Sequence, residues 1–191
     1  MNDKKVHGGE LYTKISKGIL EWLEIFVFSI FVVILLFVFL FRNVGVDGDS
    51  MRETLHNNDR VIIFNFYNKP KFGDIVVFSS QVSAKPLIKR VIGLPGDKIR
   101  IDFERQEVYV NDVLLKEKYI AELIKDNHGD VVYPVEVPED SLFVMGDNRN
   151  HSHDSRMSDI GMVSMDTVLG KAIFRIYPIS DFGSIYVNND E

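Results

Sequence analysis

The residue with the clearest capacity for chemistry is Ser50, in the stretch "GDSMRETL" (48–55). A serine hydroxyl becomes a useful nucleophile only when a neighbouring group accepts its proton. The chain has no cysteine, so a thiol nucleophile, a disulfide framework and a cysteine-ligated zinc site are excluded. The 5 histidines are His7, His56, His128, His151 and His153. His151 and His153 share one polar loop with Asp154, "NRNHSHDSR", from which a Ser-His-Asp triad or a His-x-His metal site can be drawn. The spacing demands neither, and in a loop this rich in Asp, Asn and Ser solvated turn residues are the better account.

Lys89 is the other candidate base. In "PLIKRVIGLPGD" a period of two puts Leu87, Lys89 and Val91 on one strand face and Ile88, Arg90 and Ile92 on the other. Each face carries one cation among apolar neighbours. Arginine keeps its proton, whereas lysine loses it readily when desolvated. An ordinary lysine, with a pKa of about 10.4, is neutral in only about one molecule in 2,500 at pH 7. Burial against aliphatic groups lowers that pKa by up to several units. A neutral Lys89 would take a proton from a serine hydroxyl and return it to a leaving amine. A strand-edge lysine that keeps the edge soluble has the same local pattern.

The elements that must hold these groups fall into two parts. From Ile25 to Phe41 the chain reads "IFVFSIFVVILLFVFLF", apolar but for Ser29. As a helix this covers about 26 Å, and with Leu20, Trp22 and Leu23 it crosses a hydrocarbon core of about 30 Å. Lys4, Lys5, Lys14 and Lys17 precede the span and only Arg42 closely follows it. The positive-inside bias therefore predicts a cytoplasmic segment over 1–19, a transmembrane helix over 20–41 and an extracytoplasmic domain over 42–191. The run is longer than the apolar core of a cleavable signal and ends without a small-x-small site, which favours an uncleaved anchor.

Beyond Arg42 the pattern is mostly β. Short β-branched and aromatic runs at 59–67, 73–80, 87–94, 140–148 and 169–178 are divided by turn residues. "KIRIDFERQEVYVNDVLL" reads as paired strands turning at Asn111-Asp112. "KEKYIAELI" (116–124) reads as a short helix. The net charge of -6 over 191 residues argues against nucleic acid as a partner.

Taken in order, these stretches resemble the type I signal peptidases (leader peptidases) of bacteria, in their single-span Gram-positive form. "GDSMRETL" resembles the Ser-Met-x-Pro-Thr-Leu box of that family and "FGDIVVF" its Gly-Asp-Ile-Val-Val-Phe strand. "IKRVIGLPGD" is similar to Lys-Arg-Val-Ile-Gly-x-Pro-Gly-Asp, "GDNRNHSHDSR" to Gly-Asp-Asn-Arg-x-x-Ser-x-Asp-Ser-Arg, and "GKAIFRIYP" to the closing strand. The likeness implies an antiparallel β-sheet domain of the signal peptidase and Ser-Lys repressor type on one membrane helix. It implies Ser50 as acylating nucleophile, Lys89 as general base, Ser152 as hydrogen-bond partner of the Lys89 amine, and Asp154 paired with Arg156 to hold the loop. Met51, Leu55 and Ile88 would line the substrate cleft. It implies no cofactor and no metal. The partners would be secretory precursors, the lipid bilayer and the translocation machinery.

The resemblance also implies cleavage after small-x-small (Ala-x-Ala) sites, with extended substrate added to strands near residues 44–49 and 85–89. Ser50 follows Phe41 by only 9 residues, which suits a substrate still anchored in the bilayer. Two positions depart from the family. Gly48 supplies no hydroxyl two residues before Ser50, leaving the backbone N–H of Ser50 to meet the oxyanion. Glu53 replaces a proline and is expected to face solvent. A homologue that binds precursors or pilus subunits without cutting them is the alternative reading; a self-cleaving Ser/Lys repressor lacks a reason for the span.

Overall fold

The structure, a computed structural model, describes residues 3–66, 69–125 and 129–186, with side chains from Lys17 onward. The chain divides into two units, 1–40 and 41–191.

The first unit is one helix, α1 (Asp3–Leu40). Its stretch Lys17–Leu40 is 24 residues long, enough and apolar enough to cross a membrane. At 1.5 Å per residue it reaches about 36 Å. The helix stops one residue short of the apolar run. Phe41 instead opens β1 (Phe41–Gly45), pairs with Phe64 and packs its ring 5.6 Å from that residue's ring.

The second unit is antiparallel β throughout its main sheet. The strands after β1 are β2 (Arg60–Phe64), β3 (Ile75–Ser80) and β4 (Ser83–Gly93). There follow β5 (Lys98–Asp102), β6 (Glu107–Val110), β7 (Val113–Leu114) and β8 (Val135–Glu136). The last are β9 (Ser141–Met145), β10 (Val163–Ser164), β11 (Val168–Tyr177) and β12 (Gly183–Ser184). The larger sheet runs β1-β2-β11-β3-β4-β9-β10, with β12 on β11; the smaller runs β7-β6-β5-β8. The mostly-β reading holds.

Alternation explains how one sheet serves two cores. Ile75 and Val77 of β3 join Leu55, Val61, Ile63 and Ile88 on one side. Val76 and Phe78 join Val91, Leu142 and Val144 on the other. A strand buried on both faces reads as a continuous apolar run, as "IVVF" does. Asn111 and Asp112, with φ of 53° and 63°, form the tight turn expected between β6 and β7.

One element differs from expectation. Residues 116–124 form no helix but an extended, irregular segment. Glu117 and Tyr119 both turn inward, Glu117 to Arg149 and Tyr119 against Arg90. Residues two apart share a side of an extended chain and lie on different faces of a helix, so these two contacts select the extended form.

Candidate active site

Ser50 lies on a tight turn between β1 and β2. Gly48, with φ +95°, begins it, a conformation costly for any other residue, and its N–H donates to Asn57 Oδ1 at 3.0 Å. The absence of a hydroxyl at position 48 is thus tied to backbone shape. The turn closes with the Arg52 N–H donating to Asp49 O at 3.1 Å and the Leu55 N–H donating to Met51 O at 2.8 Å.

The loop after β9 grips this turn from a distant part of the chain. Asn148 donates its backbone N–H to Ser50 O at 3.0 Å and its side-chain amide to Asp49 O at 3.1 Å. Thr54 Oγ1 donates to Asp147 Oδ2 at 2.5 Å, and Arg90 clamps the same carboxylate through Nε at 2.8 Å and Nη2 at 2.6 Å. Arg90 is stacked over Tyr119 at 3.9 Å. Tyr119 donates to Glu117 Oε1 at 2.6 Å, and Glu117 holds Arg149 bidentately at 2.7 and 2.5 Å. Burial pushes the Tyr119 phenol above its ordinary pKa, so the phenol keeps the proton it donates to Glu117 at physiological pH.

Lys89 is carried by β4, the strand paired to β3 on one side and to β9 on the other. Lys89 is 3% exposed, and its amine donates to Ser50 Oγ at 2.7 Å and to Ile88 O at 3.1 Å. Burial is the largest influence on this amine and pushes its pKa down to about 8. Asp154 and Asp147 oppose that push, and Arg156 adds to it. The two strand faces read from the sequence meet different fates. Lys89 reaches the serine, while Arg90 is spent in the ion pair with Asp147.

Asp154 and Arg156 form a bidentate pair, Nε to Oδ1 at 2.8 Å and Nη2 to Oδ2 at 2.9 Å, both wholly buried. Arg156 also donates to Arg149 O at 2.7 Å, and the Gly146 N–H donates to Asp154 Oδ2 at 2.9 Å. Burial is the largest single influence and alone would raise the Asp154 carboxyl, but the hydrogen bonds and charge of Arg156 together with the Gly146 N–H outweigh it and hold the pKa below the usual value. Ser152 is buried, yet its hydroxyl has no hydrogen-bond partner among the described residues. The expected bond from Ser152 to the Lys89 amine is therefore not formed. Its oxygen lies against Gly146, where an added Cβ would stand 2.2 Å from Ser152 Oγ and 2.4 Å from Ser50 O.

The dyad opens into a hollow of about 280 Å³ walled by residues 46–51 and 86–89, with His151 and His153 along one side. Met51 and Ile88 contribute to that wall. Leu55 does not: it is 0% exposed and packed in the core with Val61 and Ile63, because the turn that presents Ser50 folds position 55 inward. Among the histidines, His153 pairs with Asp159 at 2.9 Å, and His128 lies outside the described residues. Asp154 is committed to Arg156, so the His-x-His-Asp combination is not assembled. No group of three potential metal ligands occurs among the described residues. Glu53 is exposed and stands 3.8 Å from Arg52, so its charge faces solvent.

Sequence reading missed Asn148, Asp147, Glu117 and Tyr119. The first two lie within a quoted motif, and their roles depend on what the loop meets across the fold. For Glu117 and Tyr119 the only local trace is their spacing of two.

A family model described as signal peptidase, peptidase S26, matches residues 19–177. Signal peptidase I S of Bacillus subtilis (strain 168) is 35% identical over 176 residues, covering 87% of this chain and 93% of that protein. Signal peptidase I of Bacillus licheniformis is 32% identical over 181 residues, covering 90% and 96%. A crystal structure of a signal peptidase I from Enterococcus faecalis V583 is 32% identical, covers 55% of this chain and 97% of that one, and gives a TM-score of 0.45.

Proposed function

Because the chain belongs to the signal peptidase family, peptidase S26, we propose that it removes N-terminal signal peptides from secretory precursors with Ser50 as nucleophile and Lys89 as general base. It is a membrane-anchored serine endopeptidase. The observation that carries the assignment of roles is the 2.7 Å contact between Lys89 Nζ and Ser50 Oγ, two residues that line the hollow.

The reaction follows from that contact. Once Lys89 is neutral, the hydrogen bond reverses and the serine O–H donates to the amine. Ser50 Oγ attacks the carbonyl carbon of the scissile bond as its proton passes to Nζ. The developing oxyanion is met by the Ser50 N–H, which has no partner among the described residues. The ammonium then protonates the departing amine, leaving an ester on Ser50. Water, giving its proton to the same amine, hydrolyses that ester. Asp154 and Arg156 hold the loop that backs the dyad, and Asn148 fixes the carbonyls of Asp49 and Ser50 so that the N–H of Ser50 stays presented.

Extended substrate lies between residues 44–49 and 85–89, with the residues before the cut running along β4 towards Ser83. Met51 and Ile88 leave room there for small side chains at the first and third positions. The N-terminus is cytoplasmic and the β unit faces outside, where precursors leave the translocation machinery. Glu53 faces solvent, so nothing at the amine favours a homologue that binds without cutting.

The test is cleavage of a precursor peptide with an Ala-x-Ala site by the full-length protein in detergent. Wild type cleaves after the second alanine, and Ser50→Ala and Lys89→Met abolish cleavage. Wild-type protein that binds the peptide but is as inert as Ser50→Ala overturns the assignment and restores the assembly-factor reading.

A further inference from the structure

Two hollows meet at Asp47. The one at the dyad, of about 280 Å³, is walled by 46–51 and 86–89. A second, of about 890 Å³, includes Val46, Asp47, Asp59, Arg60, Lys85 and Tyr177 in its lining. Val46 and Asp47 belong to both. At this junction Lys85 Nζ reaches across to Asp47 Oδ2 at 2.5 Å.

The segments that this ion pair joins are the two sides of the substrate channel. Lys85 and Lys89 lie on the same strand, β4, and Asp47 and Ser50 on the facing turn. The channel is therefore bridged twice by side chains: at one end by Lys89 and Ser50, at the other by Lys85 and Asp47. Between them no backbone hydrogen bond joins 46–50 to 85–89 among the described residues, since β4 pairs with β3 over Ser83–Arg90 and with β9 only from Arg90 onward. The backbone edge that an extended peptide would use is open along its length, and the ion pair stands across its far end.

We infer that Lys85 and Asp47 form a bar that a substrate must open when it extends beyond about the third residue before the cut. Four residues of strand separate Lys85 from Lys89, which is about 13 Å, the reach of about four substrate residues. The small-residue selection near the dyad therefore acts with the bar closed. The fourth residue meets the ion pair, and chain beyond it passes into the larger hollow. Both side chains are mostly exposed, at 74% and 63%, so the pair is weak and screened by salt and opens readily. Closed, it presents cancelling charges, and either sign of side chain at the fourth position has a partner waiting once it opens. This inference rests on the proposed peptidase reading and on its direction of substrate.

The chain has no cysteine, so Asp47→Cys with Lys85→Cys places two thiols that a cleavable bis-maleimide joins without other sites reacting. Two peptides are compared, both with Ala-x-Ala: one begins at the third residue before the cut, the other about ten residues before it. After cross-linking, the ratio of kcat/KM for the long peptide to that for the short one falls at least tenfold; cutting the linker with reductant restores the ratio. Equal cleavage of the long peptide before and after cross-linking overturns the bar, and so does equal loss of both peptides, which reports distortion of the whole cleft. If the reduced double variant and the wild type cleave neither peptide, the failure is that of the peptidase reading.

Discussion

If Lys89 is the base, the same burial that arms it must also strain the fold, and both effects are measurable on one residue. The pKa of about 8 means that about one molecule in eleven carries the neutral amine at pH 7, and about half do at pH 8. The rate under kcat/KM conditions should rise close to tenfold per pH unit below about 7.5 and level off above about 8.5. The stability effect has its own sign. A lysine whose folded pKa is lowered binds its proton more tightly when unfolded, so protonation favours unfolding. The full penalty, about 3 kcal/mol, applies below pH 8 and fades as pH rises from 8 towards 10.5. Between pH 7 and 9.5 wild type should regain about 2 kcal/mol from this group. Lys89→Met lacks the penalty. It should therefore gain stability over wild type at pH 7 by an amount that shrinks by about 2 kcal/mol at pH 9.5, while losing all cleavage. The assay pairs peptide cleavage from pH 6 to 9 with urea titration of the full chain in detergent, followed by tyrosine circular dichroism. A flat rate profile, or a stability difference between variant and wild type that does not change with pH, refutes the reasoning.

Gly146→Ala should lower kcat/KM about 100-fold, because its methyl would occupy the space of Ser152 Oγ and Ser50 O and push the nucleophile out of line; peptide kinetics check this. Asp147→Ala leaves Arg90 buried without its counter-ion and releases Thr54, so urea titration should show a loss of about 3–5 kcal/mol. Glu117→Ala should show a loss of similar size by orphaning Arg149, whose side chain is 1% exposed. Asp154 contributes stability that is present above the ordinary carboxylate pKa and lost as pH falls through its lower folded value. Asp154→Asn should therefore be clearly less stable than wild type at pH 6, with the difference shrinking as the solution approaches pH 2.

Ser50 and Lys89, the two side chains that meet in the structure, stand out in the sequence because each belongs to a short stretch whose local pattern is distinctive. Ser50 follows a glycine turn, and Lys89 interrupts an aliphatic strand. Their partnership was legible only through the family resemblance, since nothing in a period of two says which turn will cross β4. The same limit explains Asn148. An asparagine in a polar loop looks solvated until the loop is seen to fold over Asp49 and Ser50. The segment 116–124 misled for a different reason. Its composition favours a helix weakly, and two inward contacts, to Arg149 and Arg90, override that preference. Leu55 misled because a residue five places after a nucleophile is easily imagined beside the substrate, whereas the turn geometry returns it to the core.

The grip of Asn148 on the nucleophile turn spans 99 residues of chain from Asp49. A nascent polypeptide that already contains Ser50 and Lys89 but still lacks 146–156 holds both side chains with nothing to fix the carbonyls beside the hydroxyl. On the proposed mechanism its serine is then an ordinary hydroxyl, and the geometry at the first turn is completed only when the last quarter of the chain closes over it.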